Sequence, residues 1–274
     1  MSAAVVTGAG RGLGLEVARA VAARGLAVNV TDGDAAAADS AAAEIGGAAW
    51  GSTLDVRDAE ACRAIAREAA SRAGSLDVWV NNAGVLATGH VWEHDPELRR
   101  ALFDVNALGT INGTLAALEL MRPAGRGHVI NVVSLAGLGA PPGEALYAAT
   151  KHGAMAFSLG ALADLRRSGS RDVWISAVCP DGIWTPVLHD KLADPDAAPS
   201  FSGVLLRPEH VAARTVELLD RPRAVLTIPR WRAGFVRAFD AFPGLAVRLL
   251  PLWMRDAQRR QRRWKKRIEG GGGP

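Results

Sequence analysis

The sequence predicts an α/β protein: a doubly wound parallel sheet with helices on both faces over residues 1–229, followed by a basic helical extension over residues 230–274. Three observations predict it. Short apolar runs alternate with stretches of helical spacing from residue 3 to residue 228, the βαβα order that builds a parallel sheet covered on both faces. A glycine-rich turn joins the first apolar run to the first helical stretch. Charge is also divided unevenly. Residues 1–220 hold 18 Lys+Arg against 25 Asp+Glu, whereas residues 221–274 hold 14 against 3. The pI of 9.6 therefore describes the tail rather than the body.

In order along the chain, Ala3–Thr7 is a short apolar strand. Gly12–Arg24 places Leu13, Val17, Ala20 and Val21 on one side and ends at Gly25, so it reads as a helix. Leu26–Thr31 is a second strand. Asp34–Ile45 is alanine-rich, and alanine is the best helix former. Ala48–Leu54 is a third strand, Ala59–Arg72 a helix and Leu76–Asn81 a fourth strand. Pro96–Arg122 reads as one or two long helices, Gly127–Ser134 as a fifth strand and Ala145–Arg167 as a helix. Asp172–Val178 is a sixth strand, Pro208–Leu219 a helix and Ala224–Ile228 a last strand. In such sheets ligands bind beyond the carboxyl ends of the strands, near the point where strand order reverses.

At 274 residues and 28.7 kDa the chain can bury a full α/β core. Two cysteines, Cys62 and Cys179, are too few for a disulfide framework and lack metal-ligand spacing. They read as free thiols in a reducing, cytoplasmic setting. The opening Met-Ser-Ala-Ala-Val-Val-Thr-Gly runs straight into a strand, which leaves no room for a signal peptide. No window reaches the ~18 uncharged apolar residues of a spanning helix, and no stretch suggests a nucleic-acid fold.

The turn Thr7-Gly8-Ala9-Gly10-Arg11-Gly12-Leu13-Gly14 sits between a first strand and a first helix. Gly8, Gly12 and Gly14 permit a tight turn and close backbone approach. Free N–H groups at the helix start suit a pyrophosphate. Asp32 closes the second strand, where a carboxylate can bond ribose hydroxyls and repel a 2′-phosphate, which favours NAD. Arg11, in the glycine turn, is the feature that would suit NADP. Asp55 and Val56 follow the third strand, placed to meet adenine. Asn81-Asn82-Ala83-Gly84 ends the fourth, with asparagine amides to tie strand ends and Ala83-Gly84 leaving room for the ribose and nicotinamide.

Tyr147 is the only tyrosine in the chain, four residues before Lys151 and thirteen after Ser134. A phenol titrates near ~10. An ammonium at i+4 shares its helix face and is expected to favour the phenolate, a pairing that suits proton transfer.

With these residues in this order, the chain resembles the short-chain dehydrogenase/reductase family over about residues 3–230. The match comprises Thr7–Gly14, Asp32, Asp55, Asn81–Gly84, Asn106 within Val-Asn-Ala-Leu-Gly-Thr, Ser134, Tyr147, Lys151 and Pro180–Thr185. The resemblance implies a Rossmann-like fold and a nicotinamide cofactor, NAD in preference to NADP. It also implies a catalytic set: Tyr147 as general acid/base, Ser134 bonding the reacting oxygen, Lys151 tuning the tyrosine and holding the ribose, and Asn106 binding a relay water. The cofactor would be held by Gly8, Arg11, Gly12, Leu13, Gly14, Asp32, Asp55, Val56, Asn82, Ala83, Gly84, Tyr147 and Lys151. Pro180, Gly182, Ile183 and Thr185 would meet the nicotinamide. The sequence departs from the family at Asp181, which stands where a glycine usually follows the proline; it is expected to cap a turn and puts the loop geometry in doubt.

The segments expected around a substrate offer Leu135, Leu138, Ala140, Pro141, Trp184, Val187, Leu188 and Leu192, with Asp181, Glu144 and His189 as polar handles. An apolar secondary alcohol or ketone, steroid-, terpenoid-, aromatic- or lipid-like, fits that set. In the tail, Phe235, Phe239 and Phe242 recur at helical spacing, and Trp253, Ala257, Gln261, Trp264 and Ile268 form one stripe among arginines and lysines. Two readings of 230–268 stay open: a cover packed on the pocket or on a partner subunit, and a helix lying on an anionic membrane surface. Gly270–Gly273 and Pro274 are expected to be disordered. The resemblance favours a homodimer or homotetramer. The other functions the sequence leaves in play are a non-catalytic NAD-binding regulator, a lyase or epimerase on the same fold, and a membrane-surface protein.

Overall fold

In the computed structural model, which describes residues 1–270, seven parallel strands form one sheet in the order β3-β2-β1-β4-β5-β6-β7. The strands are β1 (Ala3–Thr7), β2 (Ala27–Asp32), β3 (Ala49–Thr53), β4 (Leu76–Asn81), β5 (Gly127–Val132), β6 (Val173–Pro180) and β7 (Val225–Ile228). Strand order reverses between β1 and β4, which opens a crevice at their carboxyl ends. β1 is buried at every position and apolar from Ala3 to Val6, as expected for a strand with helices on both faces.

One face is covered by α1 (Gly12–Ala22), α2 (Ala35–Ile45) and α8 (Pro208–Val216), which bury Val17, Val21, Ala41, Val211 and Val216 against Val6, Val28, Val30, Val80 and Val178. The other is covered by α3 (Ala59–Ala73), α5 (Gly109–Ala124) and α6 (Ala145–Arg167), with Ile65, Met121 and Leu165 against Val5, Trp79, Val129 and Ile175. Each such valine, leucine, isoleucine or methionine, fully buried, contributes roughly 1.5–3 kcal/mol. Aspartates start three helices. Asp34 accepts from Ala36 N and Ala37 N, Asp58 from Glu60 N and Ala61 N, and Asp95 from Leu98 N ahead of α4 (Pro96–Phe103). Such a cap is worth about 1 kcal/mol. α1 alone among these four has no side-chain cap and no acid in its first turn.

Pro96–Arg122 resolves into α4 and α5, joined by one π-helical turn over Asp104–Leu108. β5 stops at Val132, two residues short of Ser134, and β6 runs on to Pro180. A short α7 (Pro186–His189) follows β6.

The tail forms α9 (Arg230–Ala241) and α10 (Pro243–Glu269). α10 buries Ala257 and Gln261, and Gln261 Nε2 donates to Lys191 O at 3.1 Å and Asp194 O at 2.7 Å. Trp264 packs on the cluster of Leu188, Ala197, Phe201 and Leu205. No described helix is long and apolar enough to cross a membrane. Gly270 caps α10 through its N–H to Lys266 O; the expectation of disorder for the rest of the terminus, Gly271–Pro274, lies outside the described residues.

Candidate active site

A cavity of about 810 Å³ opens at the carboxyl ends of the strands. Its floor on one side is the glycine turn. Gly8 has a φ of +60°, and a Cβ there would lie 2.7 Å from Ala83 Cα; a Cβ on Gly14 would lie 2.2 Å from Gly8 O. Only hydrogen fits at either position. Asn82, just after β4, fixes this geometry: its Nδ2 donates to Thr7 O and Gly8 O, and Thr7 Oγ1 accepts from Asn82 N and Ala83 N. The uncapped start of α1, through Gly12, Leu13 and Gly14, therefore faces the cavity with its backbone N–H groups unspent. That is the donor set a pyrophosphate requires. Arg11, exposed, stands at the same rim.

Asp32 lines the cavity at the end of β2. One carboxylate oxygen accepts from Gly10 N at 3.0 Å and the other from Asp34 N at 3.1 Å, which holds the group rigidly toward the crevice. Asp55 and Val56 also line it. Asp55 is held by Arg57, whose guanidinium lowers its pKa below the ordinary carboxylate range. Ala83, Gly84, Pro180, Gly182, Ile183 and Thr185 complete this half. These residues fit a dinucleotide.

The other half holds the residues expected to carry the chemistry. Tyr147 and Lys151 sit one turn apart on α6, and Ser134 follows β5; all three line the cavity. Ser134 has a φ of +128°, which costs on the order of 1–3 kcal/mol for a side-chain-bearing residue. Its Oγ accepts from Ala136 N at 3.1 Å. Lys151 Nζ donates to Val132 O at 3.1 Å and lies 5.7 Å from the centre of the Tyr147 ring. Burial lowers the Lys151 pKa to about 8. Burial also pushes the Tyr147 phenol up, the Glu144 carboxylate adds to the rise, and only the Ser134 hydroxyl opposes it. The expected lowering by Lys151 is not what governs the phenol here, because surrounding protein outweighs an ammonium that shares no hydrogen bond with it.

Asn106 is fully buried in the π-helical turn and does not line the cavity. Its Nδ2 donates to Val85 O and Thr150 Oγ1, and its Oδ1 accepts from Val85 N. It thereby ties the chain after Gly84 to α6.

Leu135, Ala140, Pro141, Val187 and Leu188 line the substrate side as expected. Leu138, Trp184, Leu192 and His189 do not. Leu138 packs with Val133, Met155 and Ala233; Trp184 and Leu192 pack on the Phe201 cluster, and His189 packs tilted against Trp184 with ring centres 3.9 Å apart. Glu144 does line the cavity. It is 3% exposed, accepts from Ser200 Oγ at 2.7 Å, and burial raises its pKa to about 7. The largest contribution that sequence reasoning did not assign comes from the tail. Phe235, Val236, Phe239, Val247, Leu250 and Trp253 form the outer wall.

Asp181 explains its own departure. Its carboxylate accepts from Gly182 N, Val204 N and Arg232 Nε, the last at 2.9 Å in a pair with both side chains buried. Burial pushes its pKa up against the pull of Arg232. Arg232 Nη2 also donates to Ser202 Oγ. The first turn of α9 is thus bolted to the loop that carries Gly182, Ile183 and Thr185. The aspartate thus has its partner in α9 of the C-terminal segment.

The family model described as short chain dehydrogenase matches residues 2–196. An inactive 2-(S)-hydroxypropyl-CoM dehydrogenase 2 of Xanthobacter autotrophicus is 35% identical over 221 residues, 77% of this chain and 94% of that protein. Among solved structures, a short chain dehydrogenase/reductase from Burkholderia phymatum in complex with NAD superposes with a TM-score of 0.80 at 26% identity, over 89% of this chain and 94% of that one. The actinorhodin polyketide ketoreductase with NADPH gives 0.75 at 29% identity, over 83% and 95%. This chain belongs to the short-chain dehydrogenase/reductase family, oxidoreductases that act on CH–OH groups with a nicotinamide cofactor.

Proposed function

We propose that this protein interconverts a secondary alcohol and a ketone on an apolar, steroid-, terpenoid-, aromatic- or lipid-like substrate, with NAD preferred over NADP. The observation that carries the reading is that Ser134, Tyr147 and Lys151 line the same cavity as the glycine turn and Asp32. The nicotinamide, when bound, supplies the acceptor or donor of the hydride at the carbinol carbon. Tyr147 Oη takes the hydroxyl proton in oxidation and returns it to the carbonyl oxygen in reduction. Ser134 Oγ already accepts from Ala136 N, so its hydrogen is free to donate to that same substrate oxygen. Lys151 spends one N–H on Val132 O and keeps two for the ribose hydroxyls.

Both amide hydrogens of Asn106 are committed. Its part in a proton relay is therefore as an acceptor for a water beside Lys151, together with holding Val85 in place. Asp32 favours NAD because a 2′-phosphate would bring a second anion against a carboxylate held toward the crevice. The apolar wall of Leu135, Val187, Leu188, Phe239, Leu250 and Trp253 offers no guanidinium to clamp an acidic substrate; the one arginine among the substrate-side residues, Arg232, is spent on Asp181. Exposed Leu108, Leu115 and Leu159, on the π-helical turn, α5 and α6, support a homodimer or homotetramer.

Titration with NADH and NADPH, read by quenching of tryptophan emission, followed by assay of apolar secondary alcohols and ketones, tests this reading. Tighter NADH binding with turnover is expected. Tighter NADPH binding shifts the weight from Asp32 to Arg11. NADH binding with no turnover across the panel moves the protein to the second reading, a non-catalytic NAD-binding regulator, which the name of the inactive relative favours.

A further inference from the structure

α10 has two different outward faces. From Pro243 to Met254 the only charge is the exposed Arg248, and the large apolar residues exposed to solvent are Leu245, Val247, Leu249 and Leu252. Leu245, Val247 and Leu252 are 57%, 65% and 61% exposed. Beyond Arg255 the outward positions are mostly cationic, Arg259, Arg260, Arg262, Arg263, Lys266 and Arg267, with Asp256 and Glu269 as the exposed acids. The inward stripe, Ala246, Leu250, Trp253, Ala257, Gln261 and Trp264, faces the body throughout. Phe242, at the break between the two helices, extends the patch at 66% exposed, and Trp231 on α9 adds a second exposed aromatic at 61%. A single exposed Leu needs no explanation, but a contiguous patch of this kind marks a site of contact.

The patch is continuous with the cavity, since Phe235 and Val247 belong to both. We propose that α9 and α10 seat the protein on an anionic lipid surface, with the apolar half of α10 in the headgroup–acyl boundary and the cavity mouth facing the lipid.

Length and charge select that occupant. Twelve residues of helix span about 18 Å, short of the ~30 Å hydrocarbon core, so the segment lies on a bilayer rather than across one. Residues 221–274 carry 14 Lys+Arg against 3 Asp+Glu, and of those acids Asp256 and Glu269 are paired with Arg260 and Lys265. An isologous contact between two copies would set one cationic segment against another, whereas anionic headgroups complement it. Membrane seating goes beyond the proposed activity and is independent of it. The advantage that an apolar substrate could enter from the lipid rests on that activity.

The test is co-sedimentation of the full chain with vesicles of phosphatidylcholine containing about a third phosphatidylglycerol, against pure phosphatidylcholine. Binding to the anionic vesicles, at least ~10-fold stronger and weakened by salt, is expected. The Leu245→Glu/Leu252→Glu variant alters two exposed residues outside the cavity lining. It should lose vesicle binding at least ~10-fold and keep its thermal midpoint and nucleotide affinity. A second variant, Arg259→Gln/Arg263→Gln/Lys266→Gln, should lose the anionic preference while retaining the fold. Wild-type protein that ignores anionic vesicles overturns the proposal. So does vesicle binding that neither variant weakens, or a dimer in lipid-free solution that Leu245→Glu/Leu252→Glu dissociates, which would make the occupant a second copy. Vesicle binding does not depend on turnover, so its failure leaves the oxidoreductase reading standing and is distinguishable from the failure of that reading.

Discussion

The inner wall of the cavity, built from strand ends, and the outer wall, built from α9 and α10, are held by different means. On the inner side every functional segment is tied by backbone or buried amides. Asn82 bridges β1 and β4, Asn106 bridges the Val85 segment and α6, and Asn81 Nδ2 donates to Thr110 O, Thr114 Oγ1 and Asn131 Oδ1. On the outer side few polar anchors do the holding: Arg232 on Asp181 and Ser202, and Gln261 on two carbonyls. Apolar contact supplies the rest. Under the proposed function, the difference places positional accuracy where hydride and proton would move, and adaptability where the proposed apolar substrate would be enclosed. Loss of a few anchors should therefore release the outer wall while the inner wall keeps its shape.

Arg232→Met is the largest way to break that contrast. It leaves Asp181 buried without its cation, a change worth roughly 3–5 kcal/mol when one partner of a buried pair is removed. A lower thermal midpoint and a raised KM for apolar substrate, with nucleotide affinity less affected, are expected in melting and steady-state measurements. Asp181→Gly/Arg232→Met should recover much of the loss, since no unpaired charge remains. Equal nucleotide and substrate defects would mean that the two walls are one mechanical unit.

Tyr147→Phe breaks the inner wall chemically while leaving it intact sterically. Turnover should fall by ~10²-fold or more with NADH binding retained. Near-normal turnover would place the acid/base elsewhere in the cavity.

The same contrast explains what could be read in the sequence. The parallel sheet, the glycine turn and the grouping of Ser134, Tyr147 and Lys151 were legible because each depends on local chemistry: strands apolar on both faces, glycines where a Cβ has no room, a phenol and an ammonium at i and i+4. Arg232 was not legible as a partner of Asp181, because the two are 51 residues apart and nothing local marks a pairing. The helical spacing of Phe235, Phe239 and Phe242 was visible, yet spacing says only that a face exists. The fold turns Phe235 and Phe239 to the cavity and leaves Phe242 outside it. Trp184 and Leu192 flank Thr185 in a segment expected to line the pocket, but the fold packs both on the cluster of Leu188, Ala197, Phe201 and Leu205 instead. The rise of the Tyr147 phenol was likewise invisible, because burial is a tertiary property.

Asp32→Ala sharpens the comparison at the far end of the inner wall. It removes the acceptor for Gly10 N and the carboxylate proposed to meet the ribose. The ratio of NADPH to NADH affinity should rise by about 10-fold, or ~1.4 kcal/mol, in a fluorescence titration. An unchanged ratio would make Arg11 the determinant.

Glu144→Gln gives the smallest effect and tests the seam between the walls, where α6 meets Ser200. Burial raises the Glu144 pKa from 4.5 to about 7, so ionising it costs more in the folded protein than in the unfolded chain. Its favourable contribution is complete below pH 4.5, the unfolded value, and is lost as pH rises through about 7. The amide cannot ionise and escapes that loss. Relative to wild type, Glu144→Gln should therefore gain stability between pH 5 and pH 8, by on the order of 1 kcal/mol because the carboxyl borders an open cavity. The same substitution removes a negative charge that pushes Tyr147 up, so the alkaline-going limb of the turnover profile should move to lower pH. Coincident shifts in melting and turnover would assign both to one carboxyl. A turnover shift without the stability change would mean that solvent in the cavity already relieves the buried charge, and that Glu144 acts on Tyr147 through its field alone.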